Sequence, residues 1–285
     1  MTLSQDRRES AGHGSPGRRA GNLLVLADDL PTEALRLAAR REAAVALIAA
    51  RRFALAVEQL DTLLAAQPGD RAVLRLHARC QGCVASGSAP TADTATRRVF
   101  VFSGHMVDAP TRPAPRFPAP AVPVAAERIA GALDALGATA GDIAFSQAAA
   151  GGDLLFLQAV HDHGLRAQVL LPFAEDEFIA QSMLPSADGE AWRERWLALR
   201  AQLAWPPRTM ADEIGACPPG VDAFERCNRW LLASALACAA DSDGGVQLIA
   251  LWNGAGSDGP GGTRHMIDEV RRRGGRVCWI DTRTL

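Results

Sequence analysis

The feature that most constrains this chain is a change of rhythm at Arg98. From there to the C-terminus, short continuous apolar runs alternate with longer stretches of helical period. The runs fall at 99–102, 143–146, 167–171, 246–252 and 276–280, and the helical patterns at about 124–137, 152–163, 188–203, 222–240 and 262–274. A strand that is apolar throughout is covered on both faces. Strands separated by helices run parallel, because parallel neighbours need a crossover. The predicted fold is α/β: a Rossmann-like, doubly wound parallel sheet over 98–285, with a small all-α region before it.

The segment ahead of Arg98 divides into three. Residues 1–21 are polar and rich in Arg, Gly and Ser, which reads as a disordered tail and not as a signal peptide. Residues 22–85 are helical in pattern. Leu35, Ala38, Ala39, Ala43, Leu47 and Ile48 recur at helical spacing, and a second helix opens near Phe53 with Leu55, Ala56, Leu60, Leu63 and Leu64. Gln67-Pro68-Gly69-Asp70 breaks it, and a third helix follows over 71–80. Residues 86–97 are small and polar and read as a linker.

Composition narrows the function. Apolar residues make up 48% and charged residues 22%, the balance of a globular chain. A net charge of −2 argues against nucleic acid as the partner. All 30 basic residues are Arg, and there is no Tyr. That removes the P-loop lysine, the kinase strand lysine and Schiff-base chemistry. No apolar run is long enough for a membrane span, so no membrane partner is expected. Six cysteines without a secretion signal suggest reduced thiols and a cytoplasmic location. Cys80 and Cys83 form one CxxC with only His77 nearby, too few ligands for zinc, so no metal site is expected.

In a doubly wound sheet, ligands bind outside the carboxyl ends of the strands. Those ends carry Ser103, Gly104 and His105 after the first strand, and Gly151, Gly152 and Asp153 after the second. Glu175 follows the third, and the fourth leads through Asn253 to Gly261, Gly262 and Thr263. Two of these ends are small or Gly-rich loops that open a helix. Glycine lets backbone approach a phosphate, and a helix N-terminus offers unused N–H groups and partial positive charge. Two such loops on one sheet edge point to a nucleotide-type ligand. Asp153 would either bond a ribose hydroxyl or cap its helix.

These same residues carry a family resemblance. Phe102-Ser103-Gly104-His105, Ala150-Gly151-Gly152-Asp153-Leu154-Leu155 and Gly259-Pro260-Gly261-Gly262-Thr263-Arg264-His265-Met266 resemble the SLOG superfamily over about 98–285. That group includes the Lonely Guy phosphoribohydrolases, the DNA-processing protein A fold and nucleotide-sensor modules. The helical piece before it is similar to a tetratricopeptide repeat, with Phe53, Ala56, Leu60 and Pro68 at the repeat's spacings; a plain helical hairpin is the alternative. A solenoid this short is expected to pack on the next domain or to pair with another chain. The resemblance implies a nucleotide or nucleotide-derived ligand, with no other cofactor required. Backbone at Gly151, Gly152, Gly261 and Gly262 and the Thr263 hydroxyl would hold phosphate. Ser103 and His105 would line the edge, Arg116 would close over it from a Pro-rich loop, and Arg226 and Asn228 would project nearby.

Whether such a site would catalyse is a separate question. The Lonely Guy enzymes place a Glu two to three residues after the loop Thr. Here those positions are His265 and Met266, and Asp268 lies roughly 140° round the helix from Thr263. Glu175 and His265 remain the weak catalytic candidates. The leading expectation is a sensor that binds a nucleotide-derived molecule and engages a protein partner through its N-terminal helices. The alternatives are a nucleotide hydrolase that cleaves the N-glycosidic bond, and a scaffold whose α/β domain is inert.

Overall fold

A computed structural model of the chain describes residues 32–50, 52–85, 98–215, 217–218, 220–239, 245–255 and 262–285. The expected tail (1–21), the expected linker (86–97) and Gly261 lie outside the described residues.

Three helices come first: α1 (Glu33–Ala49), α2 (Phe53–Ala66) and α3 (Arg71–Ala85). Thr32 caps α1, its hydroxyl accepting from the Leu35 N–H at 3.3 Å. The α/β domain then runs β1 (Val99–Gly104), α4 (Val122–Ala135), β2 (Ile143–Ser146), α5 (Gly152–Asp162), β3 (Arg166–Leu171), α6 (Glu175–Ser182) and α7 (Gly189–Arg200). It closes with β4 (Arg208–Thr209), α8 (Met210–Ile214), α9 (Ala223–Ala239), β5 (Val246–Trp252), α10 (Thr263–Arg272) and β6 (Arg276–Asp281).

All six strands are parallel, in the order β4-β3-β2-β1-β5-β6. The chain winds outward from β1 to β4, then returns to place β5 on the other side of β1. Strand period 2 explains the two cores. Phe100 and Phe102 face one layer with Ile129 of α4, Phe156 of α5 and Trp196 of α7. Val99 and Val101 face the opposite layer with Trp230 of α9 and Met266 of α10. Helices therefore cover both faces, and this is why the strands read as apolar throughout. Trp192 and Trp196 share one helix face and both enter the first core.

A third core joins α1, α2 and α3 to Ala233 and Ala237 of α9. Their small side chains let α1 pack closely on that helix. Beside this contact the Arg226 guanidinium donates to Glu42 of α1 at 2.8 Å and to the carbonyls of Ile214 and Gly215. Both side chains are almost wholly buried. Among the described residues no helix is long and apolar enough to cross a membrane.

Candidate functional site

β1 and β5 lie side by side, yet the chain leaves them toward opposite faces. This is the switch point of the sheet, where a crevice opens by construction. Here it is a cleft of about 320 Å³. Its walls include Ser103, Gly104, His105, Arg116, Asp153, Asn228, Gly262 and Thr263 of the expected ligand set. The fold thus brings together residues separated by up to 160 positions.

The α10 side presents the start of a helix to the cleft. Gly262 is the N-cap of α10 and has no side-chain cap bond, so no side chain of the helix's own cap covers its first N–H groups. The Ser103 hydroxyl donates to Thr263 Oγ1 at 3.3 Å, tying the end of β1 to the start of α10. Arg116 comes from the segment between β1 and α4. Its N–H donates to Asp108 at 2.7 Å and its carbonyl accepts from Thr282 at 2.6 Å, so that segment is anchored at two points.

The α5 side is different. The segment after β1 crosses the segment after β2 at close range: Val107 N–H donates to the Ala150 carbonyl, and Gly152 N–H to the His105 carbonyl. A Cβ on Gly151 would lie 2.6 Å from Val107 N, and one on Gly152 would lie 2.9 Å from the Phe102 ring. Gly151 also holds φ at +98°. This backbone crossing accounts for both glycines, and neither residue lines the cleft.

Asp153 sits in the first turn of α5. It accepts from the Ser146 hydroxyl and the Ala149 N–H, each at 3.1 Å. Burial is the largest influence on it and raises its pKa to about 7, against the opposing pull of those two bonds. A carboxyl on the cleft wall therefore changes charge near neutral pH. Ser182 also lines the cleft; its hydroxyl is buried and has no hydrogen-bond partner among the described residues.

Besides Gly151 and Gly152, four expected residues are placed elsewhere. Arg226 serves the junction with α1, where Glu42 and two backbone carbonyls hold it away from the cleft. Glu175 accepts from Trp196 Nε1 and pairs with Arg200, each at 2.8 Å, which makes it a brace between α6 and α7. His265 is on α10 outside the cleft walls. Asn253 is not among them, its Oδ1 3.1 Å from His105 Nε2 and accepting from the Ala255 N–H. It pins the ends of β1 and β5 together.

Sequence reasoning missed Met106, Gln147, Ser182, Asp222 and Phe224, which also line the cleft. Gln147 is the first residue after β2 and donates to Asn228 Oδ1 at 2.8 Å. Its place at a strand's carboxyl end was the available signal. Phe224 meets Phe173 edge-to-face at 5.4 Å, a contact that only the tertiary fold creates. Among the described residues there is no group of three His, Cys, Asp or Glu side chains suited to a metal ion. Set against known protein families and against curated proteins, the chain matches none.

Proposed function

We propose that the cleft binds a nucleotide or nucleotide-derived small molecule, and that the protein acts as a sensor of it. The observation that carries this reading is the start of α10, without a side-chain cap, opening at the switch point beside the Ser103 and Thr263 hydroxyls. Phosphate belongs there, with Arg116 as the closing cation. Sugar hydroxyls belong at the other end, against Asp153 and Asn228, because the α5 glycine loop already spends its Gly152 N–H on His105. Phe224 and Met106 offer an apolar face to a base. The volume suits a ligand of mononucleotide size. The likeness to SLOG nucleotide-sensor modules supports the same reading. α1–α3, with their tetratricopeptide-like spacing, are the candidate partner-binding region, and α1 already contacts α9 of the sensor domain.

A second reading, a hydrolase of the same ligand, draws on Asp153. A cleft carboxyl that titrates near neutrality suits general acid–base work. A scaffold with an inert α/β domain would have its glycine loops plugged by side chains; Val107 and Phe102 do crowd the α5 loop, while Gly262 at the start of α10 lines the open cleft.

The test is thermal melting against NAD, ADP-ribose, AMP, ATP and cyclic nucleotides, with each mixture then analysed for products. A ligand at 100 times its dissociation constant adds about 2.7 kcal/mol of stability, a clear rise in Tm. A rise without product supports the sensor. Released base or ribose phosphate supports the hydrolase. Gly262→Asp places a carboxylate where phosphate would sit, so it should remove the rise and leave the unliganded Tm unchanged. A rise that survives Gly262→Asp defeats the phosphate site.

A further inference from the structure

The two edges of the sheet are built differently. β4 ends one side with only two residues, and α8 follows it at once. Beside it the Gln168 side chain of β3 donates to the Pro206 carbonyl, so the flank of β3 is already engaged. A short, covered edge offers little to a neighbour. β6 ends the other side with six residues, and among the described residues no segment pairs with its outer side. Its register with β5 is unbroken, without a bulge, and it contains no proline or glycine. Its only charged residues, Arg276 and Asp281, stand at its two ends. Near the middle, Trp279 is 46% exposed. Its Nε1 donates to the Trp252 carbonyl at 2.8 Å, which holds the indole in place while its face stays open. The outward N–H and C=O groups of such a strand are a template for another strand.

We infer that β6 is a dimer interface: a second copy of this chain adds its own β6, antiparallel, and continues the sheet across a two-fold axis. The charges select this occupant and its direction. An antiparallel copy brings the Arg276 end of one strand alongside the Asp281 end of the other, whereas a parallel copy would set like charges side by side. The side chains select the register. Val277 and Trp279 share one face of the strand. An axis through Cys278 sets each Trp279 opposite Val277 of the second copy, an aromatic on a β-branched side chain, and the symmetry makes this pair twice. An axis one residue further on would set Val277 opposite Asp281 instead. No β6 residue lines the cleft, and the two clefts then lie at opposite edges of the joined sheet.

The test is sedimentation equilibrium of the full chain from about 1 to about 100 µM. A monomer–dimer equilibrium is expected. Trp279→Arg puts a charge against Val277 of the second copy and should weaken association at least about tenfold, while the circular dichroism of the parent is kept. Trp279→Phe should keep the dimer. A measurement on the unaltered protein guards against a misfolded variant. Backbone hydrogen exchange over 276–281 should be slower at the high concentration than at the low one, because the outward N–H groups are then bonded. Exchange over β2, which has a strand on each side, should not depend on concentration. A monomer at every concentration, a dimer that Trp279→Arg leaves intact, or β6 exchange indifferent to concentration would each overturn the assignment.

Discussion

The molecule buries two carboxyls in two different ways. At the junction between α1 and α9, Glu42 meets the Arg226 guanidinium at 2.8 Å. Burial raises its pKa, opposed by the bond to Arg226 and the nearby charge of Arg229. On the cleft wall, Asp153 accepts from a serine hydroxyl and a backbone N–H. Among the described residues no charge pairs with it, and burial raises its pKa to about 7. The first arrangement fixes two parts of the chain to each other. The second leaves a group free to change charge where a ligand would sit. The difference teaches that a buried acid marks structure or function according to its partners, and not according to its burial alone.

The junction offers the largest effect. Arg226→Met leaves Glu42 buried without its cation and should cost about 3–5 kcal/mol in urea unfolding. Adding Glu42→Leu should recover most of that loss, since the lone charge is then gone. Nucleotide binding should be unaffected in the double variant. Lost binding with little loss of stability would reverse the comparison and return Arg226 to the cleft.

Asp153→Asn comes next. An unfolded Asp ionises near 3.8 and the folded one near 7. Between those values the folded state holds a proton that the unfolded state has released. Stability therefore falls as pH rises across that window, by an amount on the order of 4 kcal/mol, and levels off above it. Asparagine can keep both contacts, accepting from Ala149 and donating to Ser146, yet it does not titrate. Urea unfolding at pH 5 and pH 8 should show a smaller drop for the variant than for the parent. Equal drops would mean that Asp153 is already ionised across the window, and the contrast with Glu42 would disappear.

Gly152→Ala should cost about 1–3 kcal/mol in the same measurement, because the new Cβ would lie 2.9 Å from the Phe102 ring and 3.1 Å from the His105 carbonyl. This variant separates packing from phosphate contact at the α5 loop. A neutral effect on stability with lost ligand binding would reinstate that loop as a phosphate cradle.

The sheet was legible because its signal is local. Continuous apolar runs marked β1, β2, β3, β5 and β6 to within two residues. β4 has only two residues and no period to read, and its pairing with β3 at Leu170 and Leu171 is a tertiary fact. The strand order is also absent from local pattern, although the fold class narrows it. At the candidate site, the strand ends led to Ser103, His105, Asp153 and Thr263, which the fold gathers on one cleft. Glu175 stood at such an end and was claimed by Trp196 and Arg200, neighbours that come 21 and 25 positions later. Arg226 shows the same limit more sharply, since its partner Glu42 is 184 residues away. A charged residue's sequence position gives its edge of the sheet, but only the fold decides which opposite charge reaches it first.

The smallest effect tests the cleft side of the comparison most directly. Ser103→Ala removes one hydroxyl bond, to Thr263 at 3.3 Å, in a part-buried place. The stability loss should be about 1 kcal/mol or less, because water can reach the Thr263 side of the cleft and replace the lost partner. Affinity for a phosphate-bearing nucleotide should fall by more, since the same hydroxyl faces the start of α10. The two measurements, urea midpoint and nucleotide titration, should therefore rank oppositely for Ser103→Ala and Arg226→Met. If Ser103→Ala destabilises the protein as Arg226→Met does and leaves affinity intact, then this edge of the cleft is a structural joint like the one at Glu42.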